Sequence, residues 1–192
     1  VKIRLGLDDP DEFHALLQVL NDYPLSAVIV HPRTGAQMYK GSVDLTRYAR
    51  ILTMCVHPTI YNGDITTPAF FSHLRALYPT TAAWMIGRGI LGDPFLPTLI
   101  RGRELPKNPS KRIEAFHNDL YERFSTLYSG PSPLLGAMKE LWGYLAQGFS
   151  DGDKLLKSIR KAKKRGEYER ITSEFFAGSA CRTRAVAEEK SR

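Results

Sequence analysis

Apolar residues follow two regimes along this chain. Over the first 100 residues, short continuous apolar runs alternate with stretches whose apolar residues recur at helical spacing. The runs at 1–5, 26–31, 57–61 and 82–86 read as strands, and each gives way to polar or glycine residues: Gly6, His31, Asn62-Gly63-Asp64 and Gly87-Arg88-Gly89. Between them lie helical stripes: Phe13, Leu16, Leu17 and Leu20, then Leu45, Tyr48 and Leu52 over 44–54, then a helix from Thr67-Pro68. Asp9 is placed to cap the first of these, with Pro10 at its first position. A short turn is expected at 87–89, followed by Pro94-Phe95-Leu96. Unbroken apolar runs suit parallel strands covered by helices, and strand–helix alternation predicts a parallel sheet with right-handed crossovers.

Beyond Arg101–Pro109, rich in Pro, Gly and charge, the strand signal stops. Helical spacing continues over 110–128 (Ile113, Phe116, Leu120, Phe124, Leu127) until Gly130-Pro131-Ser132-Pro133 breaks it. A second helix is expected over 133–148, a third over 152–164 capped by Asp151, and a fourth over 167–177 after Gly166. The predicted fold class is α/β: half of a (β/α)8 barrel, followed by an all-α helical bundle. The expected divisions are 1–103 for the barrel half, 104–109 for a linker, 110–177 for the bundle, and 178–192 for a disordered tail. Val1 already lies inside a strand-like run, so the chain reads as a piece of a longer protein cut upstream.

Charge sharpens the division. Residues 1–100 carry eight Lys/Arg and eight Asp/Glu, whereas 101–192 carry nineteen and twelve, so the whole excess of +7 lies in the helical half. That asymmetry points to a polyanionic partner, nucleic acid before membrane, or else to a solvated basic helix. Lys154, Lys157, Arg160, Lys161, Lys163, Lys164, Arg165 and Arg170 face only Glu167 and Glu169 over this stretch. Lys157, Lys161 and Lys164 are expected on one helix face, and Lys139 opposite the core residue Trp142. Cys55 and Cys181 have neither metal-ligand spacing nor a disulfide framework, and no apolar run is long enough to span a membrane. A reducing cytoplasmic setting, with no metal and no membrane partner, is expected. Cys55 and His57 precede the third strand, on the side of a barrel concerned with stability, and read as core residues.

The chemistry is expected where the strands end. Asn62-Gly63-Asp64 and Gly87-Arg88-Gly89 put glycine where backbone N–H groups can approach an anion, and Arg88 adds a phosphate-matching fork. Lys2 alternates with Val1 and Ile3, and inside a barrel its charge calls for a neutralising partner, either a flavin-like anionic carbonyl-bearing ligand or a buried carboxylate. His31 ends the second strand and can donate to a phosphate or ring carbonyl, or serve structurally. Arg33, Tyr39 and Lys40 lie in a long loop above the same face, suited to nucleotide contact or to loop packing.

Taken in order, Val-Lys-Ile-Arg-Leu-Gly, Val-His-Pro-Arg-Thr-Gly-Ala-Gln-Met-Tyr-Lys-Gly, Asn-Gly-Asp-Ile and Met-Ile-Gly-Arg-Gly resemble the second half of a tRNA-dihydrouridine synthase. Met138–Leu145 resembles that family's tRNA-binding bundle, and the resemblance covers roughly residues 1–177. It implies an FMN barrel, reduced by NADPH, that reduces the C5–C6 double bond of uridine in tRNA. It implies that Lys2, His31, Asn62, Gly63, Asp64, Gly87 and Arg88 contact the flavin, and that Arg33 and Tyr39 lie beside the base. The tRNA would then rest on Lys139, Lys157, Lys161 and Lys164. The family's first four strands, and the loop with its proton-donating cysteine, have no counterpart here. The segment alone is therefore expected to be inactive, to bind FMN weakly or not at all, and to aggregate or self-associate through open sheet edges. Two other readings stay open: a flavin barrel acting on a small molecule, similar to dihydroorotate dehydrogenase, and a non-catalytic RNA-binding module.

Overall fold

The structure, a computed structural model, describes residues 1–178. Four strands, β1 (Lys2–Arg4), β2 (Val28–His31), β3 (Thr59–Asn62) and β4 (Ala83–Met85), form one parallel sheet in the order β1-β2-β3-β4. Helices α1 (Phe13–Asn21), α2 (Leu45–Met54) and α3 (Pro68–Leu77) fill the three crossovers. This is half the strand complement of an eight-stranded barrel, laid down in sequence order. Asp9 caps the entry to α1 as expected: its side chain accepts from the Asp11 N–H, and Glu12 reaches back to the N–H of Asp9 at 2.8 Å, closing a capping box.

Register decides what each sheet face carries. Ile3 pairs with Val30, Val30 with Tyr61 and Tyr61 with Trp84, so these four share a face. That face meets the helices: Tyr48 of α2 packs edge-on against Tyr61 at 4.8 Å, and Phe71 of α3 against Trp84 at 5.4 Å. The opposite face carries two rows, Lys2-Ile29-Ile60-Ala83 and Arg4-His31-Asn62-Met85. Lys2, Ala83 and Met85 are exposed on it, and Ile29 and Ile60 are half-buried. Among the described residues β1 and β4 each pair with one neighbour, which leaves both sheet edges open.

Contacts divide the chain into two compact units, Val1–Ile65 with Ala69–Gly87, and Thr66–Pro68 with Arg88 onward. The division falls at Gly87/Arg88 rather than after residue 103, because Phe95 joins the apolar core of the helical unit. The turn expected at 87–89 is instead the start of a short helix, α4 (Arg88–Gly92), followed by α5 (Leu96–Ile100). The connection at 101–108 is irregular.

The second unit continues with α6 (Pro109–Leu127), α7 (Pro131–Leu145), α8 (Gly152–Lys161) and α9 (Arg165–Gly178). Its core gathers Ile113, Leu134, Met138, Leu141, Trp142, Leu155, Ile159 and Tyr168. Trp142 is a donor only, so its Nε1–H bond to the Tyr168 hydroxyl, at 2.9 Å, directs that hydroxyl's own proton to Nε2 of His117, 2.6 Å away. His117 then offers Nδ1–H to Asn118 Oδ1 at 2.9 Å, and burial holds this imidazole below its ordinary pKa. Asp151 precedes α8 but makes no side-chain cap hydrogen bond. The tail expected over 178–192 lies, but for Gly178, outside the described residues.

Candidate functional site

The C-terminal ends of β1, β2 and β3 converge on one face of the sheet. Arg4, His31 and Asn62 occupy successive positions of one register row, with Lys2 a pleat below. The Lys2 side chain is exposed and has no hydrogen bond or ion pair among the described residues. Asn62 donates its amide to the Met85 carbonyl at 2.9 Å, which ties β3 to β4 and turns the Asn62 carbonyl oxygen away from that bond. At Gly63 an added Cβ would lie 2.8 Å from Val43 Cγ1, 3.3 Å from the Tyr61 hydroxyl and 3.4 Å from the His31 ring. Glycine is needed there for close packing against Val43, a different reason from the anion approach expected from the sequence. At Gly87 an added Cβ meets nothing within 4 Å. Gly87 closes the first unit and Arg88 opens α4 in the second.

Arg33 is the hub of this region and is only 2% exposed. Its two outer nitrogens grip Asp64, at 2.9 and 2.5 Å. The remaining protons go to the carbonyls of Lys40 (3.4 Å) and Gly41 (2.6 Å) and to Nε2 of His31 (3.3 Å). All five guanidinium donors are thereby occupied within the fold. Arg33, expected beside a substrate base, is instead buried as the bolt between the 32–43 loop and the loop after β3. Asp64 completes the pair from a left-handed backbone, φ 45°, which a short polar side chain tolerates.

The same geometry fixes the state of His31. Arg33 can only donate, so Nε2 of His31 must offer a lone pair and the ring proton sits on Nδ1. Burial first, then the positive charges of Arg4, Lys2 and Arg33, lower its pKa to about 4, against a smaller opposing pull from Asp64. Between about pH 4 and the unfolded value near 6.5 the unfolded chain binds the extra proton and the native chain does not. This group's contribution to stability is therefore full above about pH 6.5 and falls as the pH drops towards 4. An NMR titration of the His31 ring should show a midpoint near 4. A midpoint near 6.5 would show that the ring is neither desolvated nor crowded by cations.

Tyr39 lies at the tip of the same loop, exposed, with its ring 6.1 Å from His31. Nothing in the sequence marks Arg4 or Tyr61 as part of this region. Arg4 bonds the loop from beneath. Among the described residues the buried Tyr61 hydroxyl has no hydrogen-bond partner, and burial raises its pKa. Cys55 caps the end of α2, before β3, and His57 contacts the Leu20 carbonyl at 3.0 Å, so both lie away from the strand ends where the site forms.

In the helical unit the expected basic stripe is only partly realised. Lys157 and Lys161 lie one turn apart on the exposed side of α8, but that helix ends at Lys161. Lys164 falls in the next connection, where its carbonyl accepts the Tyr168 N–H and begins α9. Lys139 is a cap: its ammonium donates to the carbonyls of Arg160 (3.2 Å) and Ala162 (2.6 Å) at the end of α8. Lys154, Lys157, Arg160 and Lys161 are exposed with no ion pair among the described residues, whereas Arg165 and Arg170 of α9 pair with Glu169 and Glu174. The net cationic face is therefore that of α8.

The family model described as dihydrouridine synthase (Dus) matches residues 1–179. The chain belongs to the dihydrouridine synthase family. It is 29% identical over 178 residues to the tRNA-dihydrouridine(16) synthase of Cupriavidus necator, covering 88% of this chain and 53% of that protein. To the enzyme of the same name from Salmonella typhimurium it is 28% identical over 176 residues, covering 88% and 54%. The tRNA-dihydrouridine synthase B of Vibrio cholerae is 30% identical over 140 residues, covering 68% and 43%. The chain thus spans about half the length of the curated relatives it matches. As a dihydrouridine synthase segment it accounts for four parallel strands and a helical unit. Among its described residues no helix is long and apolar enough to cross a membrane.

Proposed function

We propose that this chain is the part of a flavin-dependent tRNA-dihydrouridine synthase that grips the cofactor and the tRNA. The observation that carries the reading is the convergence of Lys2, His31 and Asn62 on one sheet face in a member of this family. An ammonium with no ion pair among the described residues, an imidazole with its proton fixed on Nδ1 and an amide carbonyl suit a ring system bearing both carbonyls and N–H groups and able to take negative charge, as the FMN ring does on reduction. The loops of Gly63, Asp64 and Gly87, all in the sheet unit, would hold its phosphate end. The chemistry that FMN supplies, once reduced by NADPH, is hydride delivery to the C5–C6 double bond of a tRNA uridine. The protein's own part is to fix the ring, exclude alternative poses and present Tyr39 beside the base. Titrating the 192-residue chain with FMN, followed by flavin fluorescence, tests this. A charged hydrogen bond contributes roughly 1.5–3 kcal/mol, so Lys2→Ala should weaken FMN binding about 10- to 100-fold. Equal affinities for the two proteins would remove the assignment.

The lysines of α8 favour RNA over a small-molecule substrate, which needs no such face. In a tRNA gel shift, Lys157→Glu with Lys161→Glu should weaken binding and lower the slope of log affinity against log salt by about 1–2. An unchanged slope would leave this face merely solvated. A cytoplasmic site of action goes with a tRNA substrate.

A further inference from the structure

Arg4 stands at the end of β1, and one of its nitrogens, Nη1, donates to two backbone carbonyls of the following loop, Thr34 and Met38, each at 2.7 Å. The same guanidinium lies 5.4 Å from the centroid of the Tyr39 ring, close enough for a cation–π contact. One side chain thus holds the start of the 34–39 turn, its tip and the aromatic ring that the tip displays.

The other restraints on the turn are mostly local, among them Thr34 and Gln37, whose side chains each accept the other's backbone N–H, at 3.2 and 2.8 Å. Gly35 and Ala36 donate to the carbonyls of Gly6 and Leu7, each at 2.8 Å, and fasten its first half. Past that point its backbone bonds are internal: Met38 N–H to the Gly35 carbonyl at 2.9 Å and Lys40 N–H to Gln37 at 2.8 Å. Met38 sits in the left-handed region at φ 50°, and the side chains of Met38 and Tyr39 are 62% and 56% exposed. A segment that buries so little apolar surface opens at low free energy unless polar contacts hold it. Its far end, at Lys40 and Gly41, is held by Arg33. Two arginines therefore clamp one loop at four carbonyls, and Arg4 is the one that engages the half carrying Tyr39.

We propose that Arg4 is a positioning residue, which holds the Thr34–Tyr39 turn so that the Tyr39 ring stands in one place beside His31. The functional consequence rests on the reading that Tyr39 lies against the substrate base; the clamp itself does not. With the turn fixed beforehand, a base entering the site does not bear the cost of ordering it. Arg4→Lys keeps the charge and several donors, but loses the planar guanidinium that lies over the Tyr39 ring and the fixed direction of its N–H groups.

Amide-proton exchange of the ligand-free 192-residue chain, read by NMR, tests the clamp. In Arg4→Ala the Met38 and Lys40 amides should exchange at least tenfold faster, with Val30 and His31 of β2 unchanged. Unchanged exchange at Met38 and Lys40 would overturn the proposal. If Arg4→Ala also loosens β2, Arg4→Lys decides: faster exchange confined to the turn supports the clamp, and none overturns it. Binding of a tRNA transcript by Tyr39→Ala separates the two ideas. Unaltered binding there, with the turn loosened in the Arg4 variants, removes the base-contact reading and leaves the clamp standing.

Discussion

Asp64→Ala should destabilise the sheet unit by about 3–5 kcal/mol, the usual cost of stranding one member of a buried ion pair. The figure follows from the state of the partner. Arg33 is 2% exposed and cannot lose its proton, so without Asp64 a full positive charge stays buried against carbonyls and the neutral His31 ring. Asp64→Asn should cost less, because an amide oxygen still accepts one of the two guanidinium bonds and asparagine tolerates the left-handed backbone. Urea unfolding followed through exchange of the β2 amides gives both values. A loss below about 1 kcal/mol for the alanine variant, the range of an exposed pair, would show that Arg33 is reached by water.

Trp142→Ala should cost the helical unit a similar amount, about 3–5 kcal/mol, by opening a cavity in its core. Trp142 is fully buried, and the rings of His117, Phe149, Phe175 and Phe176 surround it at centroid distances of 5.4 to 6.3 Å. The substitution also removes the donor that orients the Tyr168 hydroxyl. Tyr168→Phe isolates that second effect: it keeps the ring and leaves the Trp142 N–H and the His117 nitrogen unpaired, a loss of about 1–3 kcal/mol. The loss of far-UV helical signal on heating reads both. Equal melting of wild type and Trp142→Ala would mean that the helices do not share one core.

Strand positions were legible because a buried parallel strand writes itself as an unbroken apolar run, as Val28-Ile29-Val30 does. The capping box at Asp9 and Glu12 was legible because it is local. The roles of Arg33 and Lys139 were not. A buried arginine and a surface arginine look alike in sequence, and what buries Arg33 is a carboxylate 31 residues away. Lys139 acts on a helix end 21 and 23 residues downstream, placed there by packing. The end of α8 was misplaced for another reason. Ala162-Lys163-Lys164 contains no glycine or proline, and the interruption is set by burial of Ala162 and by Glu167 drawing the Lys163 N–H towards α9. At the site, Lys2, His31 and Asn62 could be read as strand-end groups. That Arg4 holds a loop depends on where two carbonyls fall, which residue spacing does not record.

The strand order carries a consequence for how the protein is made. Among the described residues β2, β3 and β4 each pair with the strand synthesised immediately before, 23 to 31 residues back in register, so these three pairings are local in sequence. At ribosomal rates of roughly 5–20 residues per second, a new strand emerges every few seconds and finds its neighbour already in place. These four strands can therefore assemble by successive addition in the direction of translation.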